Sequence, residues 1–181
     1  MNLETFLGGR VIVKVGDITE EETQSIVNAA NSTLLGGGGV DGAIHEAGGP
    51  EILAECQKLR KRRYPNGLPT GDAVITSGGM LPASFVIHTV GPIYGQNQGR
   101  DAELLAASYR NSLELASNHL LRSIAFPSIS TGAFNYPRNE AAAVSSEAIS
   151  KFTETDSTID TIHLVFFSRQ DAETYLKNHR F

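Results

Sequence analysis

Hydrophobic residues along the chain alternate between short β-branched runs and longer stretches with one apolar face. Val11 to Val15 is a run closed by Gly16-Asp17, which predicts a strand with a turn after it. Ser25 to Ala30 predicts a second, shorter strand. Four consecutive glycines, Gly36 to Gly39, forbid regular structure until about Val40, from which Ala43, Ile44 and Ala47 offer a small apolar helix face. Pro50 starts another helix, with Ile52, Leu53, Cys56 and Leu59 at helical spacing before a basic end and a Pro65-Asn66-Gly67 break. Ala73 to Thr76 and Phe85 to Val90 predict a strand pair.

The second half repeats the alternation. Leu105, Tyr109, Leu113, Ala116 and Leu120 share a stripe, with Asp101 the expected N-cap of that helix. Ser123 to Ile129 predicts a strand that ends in the turn Ser130 to Phe134, and Pro137 opens a helix carrying Ala141, Val144, Ala148, Ile149 and Phe152. Ile162 to Phe167 is almost continuously apolar, the mark of a strand covered on both faces. Ser168, with Asp171 three residues on, reads as a capping box that launches a last helix through Tyr175 and Leu176. Strands alternating with helices, without internal repeats, imply one three-layer α/β/α domain over residues 1–181. In such sheets ligands sit at the carboxyl ends of the strands, where both glycine-rich turns fall.

Charge and cysteine usage narrow the function classes. Fifteen Lys and Arg against twenty Asp and Glu give a net charge of −5, the wrong sign for coating phosphate backbones, so bulk nucleic-acid binding is disfavoured. The basic run Lys58 to Arg63 reads as a solvated helix end whose charges suit the negative pole. A single cysteine cannot form an intramolecular disulfide, and no apolar run approaches the length of a membrane span, which makes the cytoplasm the expected location. The histidines and Cys56 show no metal-ligand spacing, so no metal or cofactor is expected; His45 and His88 read as loop-holding or core residues.

Gly37, Gly39 and Gly42 match the G-x-G-x-x-G spacing, but the context rejects a dinucleotide fold. Asn31 to Leu35 intervene after the strand, and the stretch that should end in an acidic residue is helical. No Gly-Lys-Ser/Thr follows, which rejects a P-loop. What survives is physical: glycines let the backbone approach a ligand, successive N–H groups form a concavity, and a helix beginning near Val40 adds its positive end. The segment reads as an oxyanion site made of main chain, with a plain flexible connector as the alternative.

The motifs GDIT (16–19), IVNAANSTLLGGGGVDGAIH (26–45), PTGDAVITSGGMLP (69–82), VIHTVGP (86–92) and SIAFPSISTGAF (123–134) together resemble a macrodomain of the MacroD type, particularly its bacterial members. The resemblance covers nearly the whole chain in order. It implies a macrodomain fold with a central mixed sheet, and ADP-ribose as the ligand. On the matching positions, Asp17 is implied to accept a hydrogen bond from the adenine amino group, Ile18 to offer a backbone N–H, and Phe167 to lie against the adenine face. Gly37, Gly38, Gly39 and Val40 would form one arm around the diphosphate and distal ribose, and Ser130, Thr131, Gly132, Ala133 and Phe134 the other. Asn31 and Asp41 resemble the pair of the hydrolytic members: Asn31 would hold distal-ribose hydroxyls, and Asp41 would orient or deprotonate the attacking water. An acid in the first turn of a helix is favoured as the anion, so positioning is expected to outweigh proton removal.

The activity so implied is hydrolysis of an ester at the distal ribose, removing mono-ADP-ribose from acidic protein side chains or acetyl from O-acetyl-ADP-ribose. The implied partners are therefore ADP-ribose, ADP-ribosylated proteins or O-acetyl-ADP-ribose, with no membrane. A reader module that binds ADP-ribose without turnover is the alternative, and it would not need the Asn31–Asp41 pair. A phosphatase on the phosphorylated sugar and an RNA-binding accessory protein follow, the last disfavoured by charge.

Overall fold

The computed structural model describes residues 1–181 as one mixed sheet between two helical layers. Seven strands, β1 (Asn2–Phe6), β2 (Val11–Val15), β3 (Ser25–Ala29), β4 (Ala73–Ser77), β5 (Phe85–Thr89), β6 (Ser123–Phe126) and β7 (Thr161–Phe166), are ordered β1-β2-β7-β6-β3-β5-β4. The inner five run parallel, while β1 and β4 pair antiparallel at the two edges. Five helices complete the domain: α1 (Gly39–Gly48), α2 (Pro50–Arg62), α3 (Asp101–Asn118), α4 (Arg138–Thr153) and α5 (Arg169–Asn178). None is long and apolar enough to cross a membrane.

Strand residues alternate between two cores because successive side chains leave opposite faces of the sheet. Val27, Ile87, Ile124 and Leu164 pack with α3, α4 and α5, whereas Ile26, Val86, Ala125 and Val165 pack with Ile44, Ile52 and Cys56 of α1 and α2. Each fully buried aliphatic of this kind contributes about 1.5–3 kcal/mol. The three layers are therefore α1–α2, sheet, and α3–α4–α5, as the alternation of patterns predicts.

The differences from that prediction have local causes. Strand β1 has no counterpart in it, because only Leu3 and Phe6 are apolar and most of the strand is exposed; its pairing with β2 also shifts register between Asn2 and Glu4. Asp101 is the first residue of α3 and not its cap: Arg100 holds the N-cap position, and the Asp101 carboxylate accepts from the Asn97 amide at 2.6 Å and the Gly95 N–H at 3.3 Å. Strand β6 stops at Phe126, three residues early, because Pro127 has no N–H to continue the ladder. Ser168 does cap α5, accepting from the Asp171 N–H at 3.1 Å.

Candidate functional site

All five parallel strands end on the same side, and their exits build one cleft. Gly16 to Ile18 follow β2, Ala30 and Asn31 follow β3, Gly91 follows β5, Pro127 to Phe134 follow β6 and Phe167 follows β7. Two cavities, of about 490 and 320 Å³, share Gly39, Val40, Ser128 and Gly132 and so read as one groove. All fourteen positions singled out from the sequence line it. Asp17, Ile18 and Phe167 stand at one end; Asn31, Asp41, Ala133 and Phe134 stand at the other.

The middle of the groove is main chain. In the glycine loop, Gly36 and Gly39 have φ of +89° and +57°, conformations that admit glycine most readily. A Cβ on Gly42 would lie 2.6 Å from the Gly37 carbonyl oxygen, so the start of α1 folds directly onto the loop. None of the N–H groups from Gly36 to Asp41 has an acceptor in the protein, and the same is true from Ser130 to Phe134. On the first loop the positive pole of α1 adds to these donors. The second loop holds Ser130 at φ +66° with its buried hydroxyl unpaired. Such strain in a non-glycine residue costs on the order of 1–3 kcal/mol and persists only where the surroundings enforce it. They do so here: the Tyr109 hydroxyl bridges Pro127 O and the Ile129 N–H at 3.4 Å each, and a Cβ on Gly91 would meet Ser130 Oγ at 2.2 Å.

At the wider end, Asp17 caps a single 3-10 turn, Ile18–Glu20. Its Oδ1 accepts from the Thr19 N–H at 2.9 Å and the Thr19 hydroxyl at 2.7 Å. Neither bond uses Oδ2. Phe167 lies beyond the end of β7 and is 86% exposed, which overturns a place for it in the core. Arg138, paired with Asp171 at 2.7 Å, is the one cation on the groove wall. Anion binding in the middle of the groove must therefore come from backbone.

At the narrow end, Asn31 closes an Asx turn by accepting from the Thr33 N–H and hydroxyl, and its amide donates to Gly36 O at 3.0 Å. Asp41 is buried in the first turn of α1. Its Oδ1 accepts from the Asn28 amide at 2.8 Å and lies 3.3 Å from His45 Nε2. Its Oδ2 and the Asn31 Nδ2 lie 3.0 and 3.1 Å from the point a Gly37 Cβ would occupy. The glycine there brings carboxylate and carboxamide to one spot.

Behind Asp41 sits a cluster that spacing along the chain did not suggest. His45, Cys56 and His88 bring nitrogen and sulfur atoms within 4.8 Å of one another. Hydrogen bonding occupies His88, and burial keeps the Cys56 thiol from ionising. His88 contacts the Asn28 amide through Nδ1 at 3.1 Å and the Thr76 hydroxyl through Nε2 at 2.9 Å, while burial and the nearby Asp41 push the Cys56 thiol up to about 12. Neither His88 nitrogen is free to ligate, and the thiol stays protonated. Asn28, Gly91 and Arg138 were not singled out individually; their roles come from contacts with other elements, Asn28 with Asp41 on α1, Gly91 with Ser130, and Arg138 with Asp171 on α5. The motifs around Asn28 and Gly91 were the only signal in the sequence.

Fold and groove define an α/β/α domain whose ligand-sized cleft lies on the carboxyl edge of a mostly parallel sheet. Comparison with known proteins is consistent with this and more specific. A family model described as the Macro domain matches residues 27–145, and the chain belongs to the macrodomain family. O-acetyl-ADP-ribose deacetylase 1 of Pantoea vagans is 45% identical over 168 residues, 93% of this chain and 97% of that protein. A mutant of the Oceanobacillus iheyensis macrodomain with ADPR superposes with a TM-score of 0.90 at 50% identity, covering 93% of this chain and 90% of that one. The Trypanosoma brucei macrodomain in complex with ADP-ribose gives 0.85 at 38% identity, covering 93% and 68%.

Proposed function

We propose that this protein binds ADP-ribose in the groove and hydrolyses an ester at the distal ribose, releasing mono-ADP-ribose from acidic protein side chains or acetyl from O-acetyl-ADP-ribose. The observation that carries the reading is the pair of loops, Gly36 to Asp41 and Ser130 to Phe134, whose unpaired N–H groups line a cleft with almost no cationic side chains. Unpaired main-chain donors beside a helix N-terminus suit a diphosphate. This also lets an acidic protein take an anionic ligand. The name of the Pantoea relative and the ligands of the two solved macrodomains point the same way.

In this reading the two ends of the groove take the rest of the molecule. Asp17, with Oδ2 unused, accepts from the adenine amino group; a carboxylate reads an exocyclic amine and rejects a carbonyl in its place. The Ile18 N–H assists, and Phe167 stacks on the ring. At the far end Asn31 holds ribose hydroxyls with its amide, and Asp41 Oδ2 orients the water that attacks the ester. Cleavage leaves a carboxylic acid and a free ribose hydroxyl.

The deciding experiment is incubation with glutamate-linked mono-ADP-ribosylated protein and, separately, with O-acetyl-ADP-ribose, scored for free ADP-ribose. Release from either supports the reading. Tight binding without release from both would identify a reader module instead.

Two variants test the adenine end. Asp17→Ala is expected to weaken ADP-ribose by about tenfold, the scale of one charge-assisted hydrogen bond, and to leave ribose phosphate binding unchanged. Equal losses for both ligands by calorimetry would remove the adenine contact. Phe167→Ala is expected to leave the melting temperature unchanged, since the side chain is exposed, and to weaken ADP-ribose by about tenfold, the low end of base–aromatic stacking. Unchanged affinity would take the ring out of the site.

A further inference from the structure

With Asp41 ionised, one arrangement of hydrogens pairs every contact along the buried polar chain behind it, leaving the Asn28 amide oxygen without a partner. The Thr76 hydroxyl donates to Ser77 O at 3.0 Å, so towards His88 it can only accept, and His88 carries its proton on Nε2. That leaves His88 Nδ1 with a lone pair, which takes one hydrogen of the Asn28 amide at 3.1 Å. The other amide hydrogen goes to Asp41 Oδ1 at 2.8 Å. Rotating the amide by half a turn would set its oxygen against a carboxylate oxygen and an imine lone pair together. His88 is fully buried, and burial together with the neighbouring His45 pushes its pKa down to about 3, so the ring stays neutral and keeps that lone pair.

We propose that Thr76 and His88 are positioning residues that fix the orientation of the Asn28 amide, which anchors Asp41 Oδ1 and leaves Oδ2 facing the cleft. The role rests on the hydrolase reading above. Thr76 on β4 sets the tautomer of His88 on β5, His88 sets the amide of Asn28 on β3, and Asn28 sets the carboxylate on α1. Three adjacent strands of the sheet thus act on one oxygen atom, with no contact between either Thr76 or His88 and the ligand groove. Both residues lie within the sheet, so their effect should fall on turnover and not on ligand affinity.

The test uses the intact protein and two readouts. Nitrogen-15 spectra should show His88 as the Nε2–H tautomer from pH 5 to 8; an Nδ1–H tautomer, or titration in that range, overturns the arrangement. In kinetics, His88→Leu removes the acceptor and is expected to lower kcat between about 10-fold and 100-fold, the cost of a misplaced reacting group, with ADP-ribose affinity unchanged. His88→Asn, whose amide oxygen can stand where Nδ1 stood, should recover most of that loss. Thr76→Val, nearly isosteric, should lose the single tautomer and lower kcat by about tenfold, and it carries the test if His88→Leu does not fold. Undiminished kcat in the folded variants, or equal losses in kcat and affinity, overturns the role alone. Absence of turnover in the unsubstituted protein overturns the hydrolase reading and the role with it.

Discussion

Asp41→Asn is expected to lower turnover by about 100-fold or more, within the range for losing a group that positions or deprotonates a nucleophile, while ADP-ribose binds as before. The expectation follows from the division of labour between the two oxygens. Oδ1 is committed to Asn28 and His45, whereas Oδ2 faces the spot shared with Asn31 and Gly37. An asparagine keeps the size of the side chain and can present its oxygen to Asn28, so the fold is retained. What it cannot do is present a second acceptor to water. Single-turnover release of ADP-ribose measures the loss, and calorimetry checks the binding. Turnover equal to the unsubstituted protein would remove Asp41 from the reaction while leaving the fold intact.

Gly39→Glu should have the larger effect on binding. Gly39 lies at φ +57° with nothing within 4 Å of the position its Cβ would take, and it lines both halves of the groove. A glutamate there strains the backbone by roughly 1–2 kcal/mol and sets a carboxylate among the donors proposed to hold the diphosphate. ADP-ribose affinity is expected to fall by about 100-fold, equivalent to about 2.7 kcal/mol. Gly39→Ala separates the two causes, since it carries the strain without the charge, and its loss should be the smaller. Equal affinity in all three proteins would take the glycine loop out of the site.

Local patterns carried most of the architecture because the elements that bury apolar faces announce them. The glycine run, Pro50, Pro137 and the Ser168 cap mark their elements within a few residues of the true boundaries. Strand β1 escaped because an exposed edge strand needs little apolar surface, and Asp101 misled because an acid at a helix start can bond to the preceding loop instead of capping. The groove was legible for a different reason. Its donors are backbone, and a backbone site is advertised by glycines. The support behind Asp41 was hidden because each link joins residues distant in the chain: Asn28 to His88 is 60 positions, and Cys56 to His88 is 32. A histidine inside an apolar strand looks like filler until its neighbours on the adjoining strands are known.

The proposed binding of ADP-ribose depends on main-chain amides holding the two phosphates, and a crystal structure of the protein with ADP-ribose bound tests that most directly. The predicted result has diphosphate oxygens about 3 Å from N–H groups of the Gly36 to Asp41 and Ser130 to Phe134 loops, with adenine beside Asp17 and the distal ribose between Asn31 and Asp41. A diphosphate held on Arg138 or on the basic end of α2, with those amides facing empty groove, would contradict it.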